Sequence, residues 1–120
     1  MKPIFSESVY KILYTLVTQQ KSTDVKQLGA ELLNGVVVDD KAFKKDIVSL
    51  NSIVQFIDES ISQPIQIQIV LPEEMDLKKR KISILAPISI ALIGFKEGER
   101  FTRQMPHGTK KFQIIKVINE

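Results

Sequence analysis

The sequence predicts an α+β protein: one antiparallel sheet covered on one face by a short helix, preceded by a short helical hairpin. Two observations carry this. Apolar residues recur at helical spacing as far as about residue 34, and from residue 53 onward they alternate with polar ones at period two. A single apolar run interrupts the second region, opening on Pro87 and closing at Gly94. Strands followed by one helix and further strands make a sheet with a helix on one side.

Val9, Ile12, Leu13, Leu16 and Val17 predict a first helix running to about Gln20, with Ser6 or Ser8 as its N-cap and Glu7 in its first turn. After the turn at 21–24, Thr23 or Asp24 caps a second helix whose apolar stripe is Val25, Leu28, Leu32 and Leu33. Asn34-Gly35 closes it, because glycine accepts the left-handed conformation at helix ends. In Val36–Lys45, Val36-Val37-Val38 fits a short strand and Asp39–Phe43 the start of a helical turn, and the whole is treated as a connector. The expected organisation is therefore residues 1–45, hairpin and connector, and residues 46–120, the sheet domain.

In the second part, residues 53–58 and 64–71 read as strands, the Ile/Gln alternation of 65–69 being the clearest in the chain. A charged loop at 72–80 leads to a strand at 81–85. Pro87 suits the first position of a helix, where its missing N–H is no loss. Gly98 then turns the chain into 100–104, and Pro106-His107-Gly108 turns it into a last strand at 111–118. Phe56, Phe95, Phe101 and Phe112 are the expected aromatic core.

Composition narrows the function. The 120 residues are 43% hydrophobic and 26% charged, with no cysteine, one histidine and a net charge of +3. Disulfides and thiolate metal sites are excluded, and a Cys/His or Ser/His relay has almost nothing to be built from. His107, in a turn without a neighbouring acid or nucleophile, reads as surface. No apolar run approaches the roughly 20 residues of a membrane span, and the opening Met1–Glu7 lacks a secretion signal's apolar core, so a cytoplasmic, membrane-independent protein is expected. The mild basicity permits a weak DNA contact without demanding one.

Leu50-Asn51-Ser52, Ile69-Val70-Leu71-Pro72-Glu73-Glu74, Ile82-Ser83-Ile84-Leu85-Ala86-Pro87, Ala91-Leu92-Ile93-Gly94, Glu97-Gly98 and Pro106-His107-Gly108, closing on Phe112–Ile118, form an ordered set. This set resembles the C-terminal domain of the bacterial Gre transcript-cleavage factors, most closely the Rnk-type members with a short N-terminal hairpin. The resemblance implies an FKBP-like fold that binds RNA polymerase at the rim of its secondary channel. It also implies that Leu85, Ala86, Pro87 and Ile88, the loop before the short helix, carry the docking; the plainer reading makes Leu85 core and the loop a tight connection.

The chain departs from the cleavage factors where their chemistry lies. A first helix of about 15 residues reaches roughly 22 Å at 1.5 Å per residue, about half the family's arm. The hairpin tip, with Lys21, Ser22 and Asp24, holds one carboxylate beside a lysine, and sharing a Mg²⁺ needs more than one anionic oxygen. Glu73, Glu74 and Asp76 match no calcium-loop spacing and are followed by four cations, so no metal or cofactor is expected. Lys78, Lys79, Arg80 and Lys81 could meet phosphate or an acidic protein surface, though a solvated loop explains them as simply. An FKBP-like fold also brings prolyl isomerisation to mind, but such pockets typically hold a tryptophan and this chain has none. The hairpin face bearing Val9, Leu13 and Leu16 can pack on the domain, on its partner helix, or on a second copy as a homodimer.

The expected function is a non-catalytic regulator that occupies the polymerase rim and competes with cleavage factors. The alternative is an interaction module of the same fold serving another partner, for example in indirect regulation of nucleoside diphosphate kinase.

Overall fold

In the computed structural model, which describes residues 2–19, 24–61 and 63–119, the chain opens with a strand that the sequence pattern does not signal. β1 (Ile4–Ser6) pairs in parallel with β2 (Val36–Val38), Ile4 opposite Val36 and Ser6 opposite Val38. Three residues are too few to display alternation, which is why β1 escapes a periodicity reading, while β2 is the short strand that Val36-Val37-Val38 allows. Ser6 ends β1 and caps α1 (Glu7–Gln19), its Oγ accepting the Val9 N–H at 3.3 Å. The other candidate cap, Ser8, is a donor instead: its N–H reaches Asp40 Oδ1 at 2.9 Å. Asp40 starts the 3-10 turn Asp40–Ala42, and the Ser8 hydrogen bond holds its carboxyl below its ordinary value.

α2 (Asp24–Asn34) buries Val25, Leu28 and Leu32. Leu33, expected in the same stripe, is 89% exposed, because one residue past Leu32 turns about 100° around the helix. Gly35 also differs from expectation. Its φ is not in the left-handed region; a Cβ there would overlap the Phe5 ring, so close approach is what requires glycine. The hairpin's apolar face is covered by the chain itself: Leu13 is fully buried, and Val9 and Leu16 pack half-buried on the main core.

That core is continuous from Phe5 and Leu28 through Ile69 and Leu92 to Ile114. Its floor is a five-stranded sheet of β3 (Ile53–Asp58), β4 (Ile65–Val70), β5 (Lys81–Ser83), β6 (Arg100–Met105) and β7 (Gly108–Ile118), ordered β5-β4-β3-β7-β6. The sheet is not antiparallel throughout, as the sequence reading had it, since β5 runs parallel to β4. Residues 71–80, with 3-10 turns at Pro72–Glu74 and Leu77–Lys79, carry the chain back to the starting end before β5 begins. A bulge opposite Gln55/Phe56 shifts β7, so that Ile114 and Val117 both face inward although three residues apart.

The Leu50-Asn51-Ser52 segment starts β3 for a visible reason. Asn51 takes φ +72° and donates its N–H to the Ile69 carbonyl at 2.6 Å. Ser52, fully buried, accepts the Ser49 N–H at 2.7 Å and donates to Asn119 Oδ1. Asn119 in turn donates to the carbonyls of Lys45 and Ile47 at 2.8 and 2.7 Å, tying the last residues to the first of the domain.

α3 (Pro87–Leu92) lies on the sheet and buries Ser89, Ile90, Ala91 and Leu92. Just beyond it, Gly94 (φ +85°) donates to the Val48 carbonyl and accepts the Ile4 N–H, both at 2.9 Å. A Cβ on Gly94 would overlap Pro3. Gly98 has a similar φ, +90°, but open space around it.

Gly98→Ala should therefore cost only the left-handed penalty, about 1–2 kcal/mol, and Gly94→Ala clearly more, about 3 kcal/mol. Urea unfolding of the two variants checks this; equal losses would mean that the crossing at Gly94 imposes no constraint.

Candidate partner-docking site

The loop before α3 is built by Ser83. Its Oγ accepts the Leu85 N–H and its carbonyl the Ala86 N–H, both at 3.0 Å, so the chain turns tightly out of β5. Ala86 stands at the N-cap with no side-chain acceptor, and Pro87 at N1 removes one of the amides that would need one. Leu85 and Ile88 are half-buried with inner faces on the core, Ala86 is half-buried, and Pro87 is exposed. The four residues thus present a short apolar ridge. Leu85 thus has one side on the core, as the plainer reading expects, and the other at the surface.

Lys78, Lys79 and Arg80 are exposed on the turn at the other end of β5, and Lys81 is half-buried within that strand. Asp76 Oδ1 caps this turn by accepting the Lys78 N–H at 3.1 Å, and Arg80 adopts φ +56°. A three-residue strand, roughly 10 Å at 3.3 Å per residue, separates the cationic turn from the apolar ridge. Asp76 has a capping task here, and no group of three or more acidic or histidine side chains able to hold a metal occurs among the described residues. His107 is exposed in the β6–β7 turn.

Beside the ridge lies a cleft of about 410 Å³ bounded by α2, α3 and β6, with Glu31, Pro87, Ile90, Arg103 and Met105 in its walls. Arg103 makes a short ion pair with Glu31 Oε1, the two side chains being 22% and 15% exposed, and its guanidinium lies 5.6 Å from the centre of the Phe95 ring. Glu31 Oε2 is buried without a hydrogen-bond partner. A second, more apolar hollow of about 290 Å³ opens under α3, with Phe56, Ile67, Ile82, Ile88 and Phe112 among its walls. At its edge Asp58 is buried and accepts from Ser60 N–H (3.0 Å), Ser60 Oγ (2.7 Å) and Lys110 Nζ (3.0 Å).

Residues 43–119 match the family model described as "Transcription elongation factor, GreA/GreB, C-term". The chain belongs to the GreA/GreB family. Transcription elongation factor GreA of Alkaliphilus oremlandii is 34% identical over 93 residues, covering 78% of this chain and 58% of that protein. GreA of Clostridium botulinum (strain Eklund 17B) is 37% identical over 93 residues, covering 78% and 58%. The chain thus spans a little under three-fifths of the length of these relatives. Among solved structures, the prokaryotic transcription elongation factor GreA/GreB from Nitrosomonas europaea superposes with a TM-score of 0.78 at 30% identity, covering 99% of both chains. Gfh1 of Thermus aquaticus, at 17% identity and a TM-score of 0.53 over 98% of this chain, shares the fold.

In this GreA/GreB chain the tip residues Lys21 and Ser22 lie outside the described residues, as does the side chain of Asp24, the first residue of α2. Pattern reading found neither the Glu31–Arg103 pair nor the Asp58–Ser60–Lys110 set. The first joins residues 72 positions apart, and the second places a cation 52 positions from its carboxylate. Phe56, Phe95 and Phe112 are core as expected, while Phe101 is half-buried and stacks on Phe95 at 4.6 Å between ring centres.

The Ser60 hydroxyl, helped by Lys110, holds Asp58 below its ordinary 3.8 against the opposing effect of burial. A folded-state value below the unfolded one means that the unfolded chain binds the proton more readily. The stabilisation is present above the ordinary carboxylate value and is lost as pH falls below it. Asp58→Asn should cost about 1–3 kcal/mol at pH 7 and progressively less below pH 4; urea unfolding at pH 7 and pH 3 reads the difference, and a cost independent of pH would refute the assignment.

Proposed function

We propose that this chain is a transcription regulator that binds RNA polymerase at the secondary-channel rim and competes there with transcript-cleavage factors, acting by occupancy in the cytoplasm without chemistry of its own. The observation that carries the reading is the ridge Leu85–Ile88, set at the start of α3 in a domain of the GreA/GreB family. An exposed proline flanked by half-buried aliphatic residues offers contact area at low entropic cost, since the ridge is already held by Ser83 and the core. The cationic turn 78–80, one short strand away, would add attraction to an acidic rim and sensitivity to salt.

The hairpin supports occupancy over cleavage. α1 has 13 residues and α2 has 11, which gives the longer arm a reach of about 20 Å. That length accords with the Rnk-type members of the family.

Two measurements test the proposal. Core RNA polymerase should co-elute with the chain on gel filtration, GreA should displace it, and Pro87→Glu should weaken binding at least tenfold while leaving the circular dichroism unchanged. No co-elution at low salt would sink the polymerase reading and turn attention to another protein partner. Added to a backtracked elongation complex, the chain should slow GreA-stimulated transcript shortening and produce none itself. Shortening by the chain alone that is lost in Asp24→Ala would make it a cleavage factor instead.

A further inference from the structure

The five-stranded sheet has two faces, and α1, α2 and α3 all pack on one of them through a single core. Val54, Phe56, Ile67, Ile69, Phe112 and Ile114 point into that core, so the alternate residues of each strand form an outer face. No described element covers the outer face, where Gln66, Thr102, Lys111 and Lys116 are exposed.

Charge is sorted between the two faces. The strands of this sheet carry six cationic residues and one acidic residue. The acid, Asp58, points inward and pairs with the inward Lys110, while the inward Arg103 pairs with Glu31. The other four cations, Lys81, Arg100, Lys111 and Lys116, stand on the outer face, and no outward strand position holds a carboxylate. Arg100 is met by Glu59, just past the end of β3, at 2.5 Å. Lys81, Lys111 and Lys116 make no salt bridge among the described residues. The chain as a whole has 17 cationic and 14 acidic residues, so a face of one sign is a local arrangement and does not follow from composition. The register spreads its lysines: Lys81 stands beside Gln68 on β4, Lys116 beside Gln55 on β3, and Lys111 beside Thr102 on β6. Between them Gln55 Nε2 donates to Gln66 Oε1 at 2.9 Å, leaving the Gln66 amide N–H groups for an outside acceptor.

We propose that this outer face binds the sugar–phosphate backbone of duplex DNA without reading its sequence. Five strands at about 4.8 Å span about 19 Å, the length of about five or six base pairs at 3.4 Å each. Phosphates are contacted by Lys and Arg together with Gln and Thr, the residue types that this face presents. A single strand needs aromatic rings on which its bases stack, and a tight protein partner needs aromatic or arginine anchors seated in pockets. No aromatic side chain stands at an outward strand position here, and the one outward arginine is held by Glu59. A duplex, its bases already stacked within it, asks only for donors to its phosphates. A second copy meeting the same face across a two-fold axis would set lysines against lysines with no carboxylate between them. The face lies on the side of the sheet away from α3 and its ridge, so the inference goes beyond the polymerase reading and does not rest on it.

The test uses the intact chain and a fluorescently labelled duplex of about 20 base pairs, longer than the face, with binding read by anisotropy. Three lysine–phosphate contacts give an expected slope of log K against log salt of about −3, or binding about fortyfold weaker at 200 mM than at 50 mM salt. Lys111→Gln combined with Lys116→Gln should reduce the slope to about −1 and leave the circular dichroism unchanged. Lys26→Gln combined with Lys41→Gln makes the same charge change on exposed residues of the hairpin and connector, and should leave the slope at about −3. Absence of binding at about 20 mM salt, where screening is weak, overturns the proposal. An equal loss in the two double variants also overturns it, by reducing the effect to net charge. A single strand of the same length that binds as tightly as the duplex does so too, as does a dimer in sedimentation that the Lys111→Gln, Lys116→Gln variant lacks. None of these measurements contains polymerase, so failure here and failure of the polymerase reading are told apart.

Discussion

The crossing of the N-terminal strand over Gly94 is the constraint on which the rest depends. Three main-chain hydrogen bonds meet there: Ile4 to Gly94, Gly94 to Val48, and Val36 to Pro3. They bind the first strand, the exit of the hairpin, the start of the domain and the end of α3 to one another. Because the contact is backbone on backbone, Gly94 has no room for a side chain, and Gly35 is likewise pressed by Phe5. The hairpin is consequently an integral wall of the domain, sharing its core through Phe5, Leu13, Leu28 and Leu32.

That integration shapes the candidate site. α3 is only six residues long, too short to hold its own position by helix propensity. It is held instead by Gly94 at one end, by the Ser83 turn at the other, and by four consecutive buried residues between them. The ridge Leu85–Ile88 inherits its rigidity from those supports. The cleft beside it exists because α2 is anchored close to β6, with the Glu31–Arg103 pair bridging hairpin and sheet and Phe95 under the guanidinium.

Much of the fold was legible in the sequence where a pattern runs long enough. The strand 53–58 has the bounds that its alternation predicts, and the Ile/Gln strand and the helix opening on Pro87 differ from expectation by one or two residues at their ends. The family resemblance, carried by segments such as Leu50-Asn51-Ser52 and Glu97-Gly98, agrees with the family match over residues 43–119. Local pattern failed at β1, which is three residues long and pairs with β2 across 32 positions, whereas the short strand allowed at Val36–Val38 is present. It failed at Leu33, where a stripe was drawn one residue too wide, and at Gly35, where a local rule about helix ends concealed a contact with Phe5.

The α+β class, the placement of most elements and the family are written in neighbouring residues, through periodicity, proline and glycine chemistry, or an ordered run of motifs. Distant contacts settled that β5 runs parallel to β4, that Asp40 caps a helix from 32 positions away, that Arg103 finds Glu31, and that β6 stands at the edge of the sheet among the described strands. The physical reason is common to all four. Strand direction, long-range ion pairs and unpaired edges depend on where distant segments arrive once the core has closed, and one-dimensional spacing carries no record of that arrival.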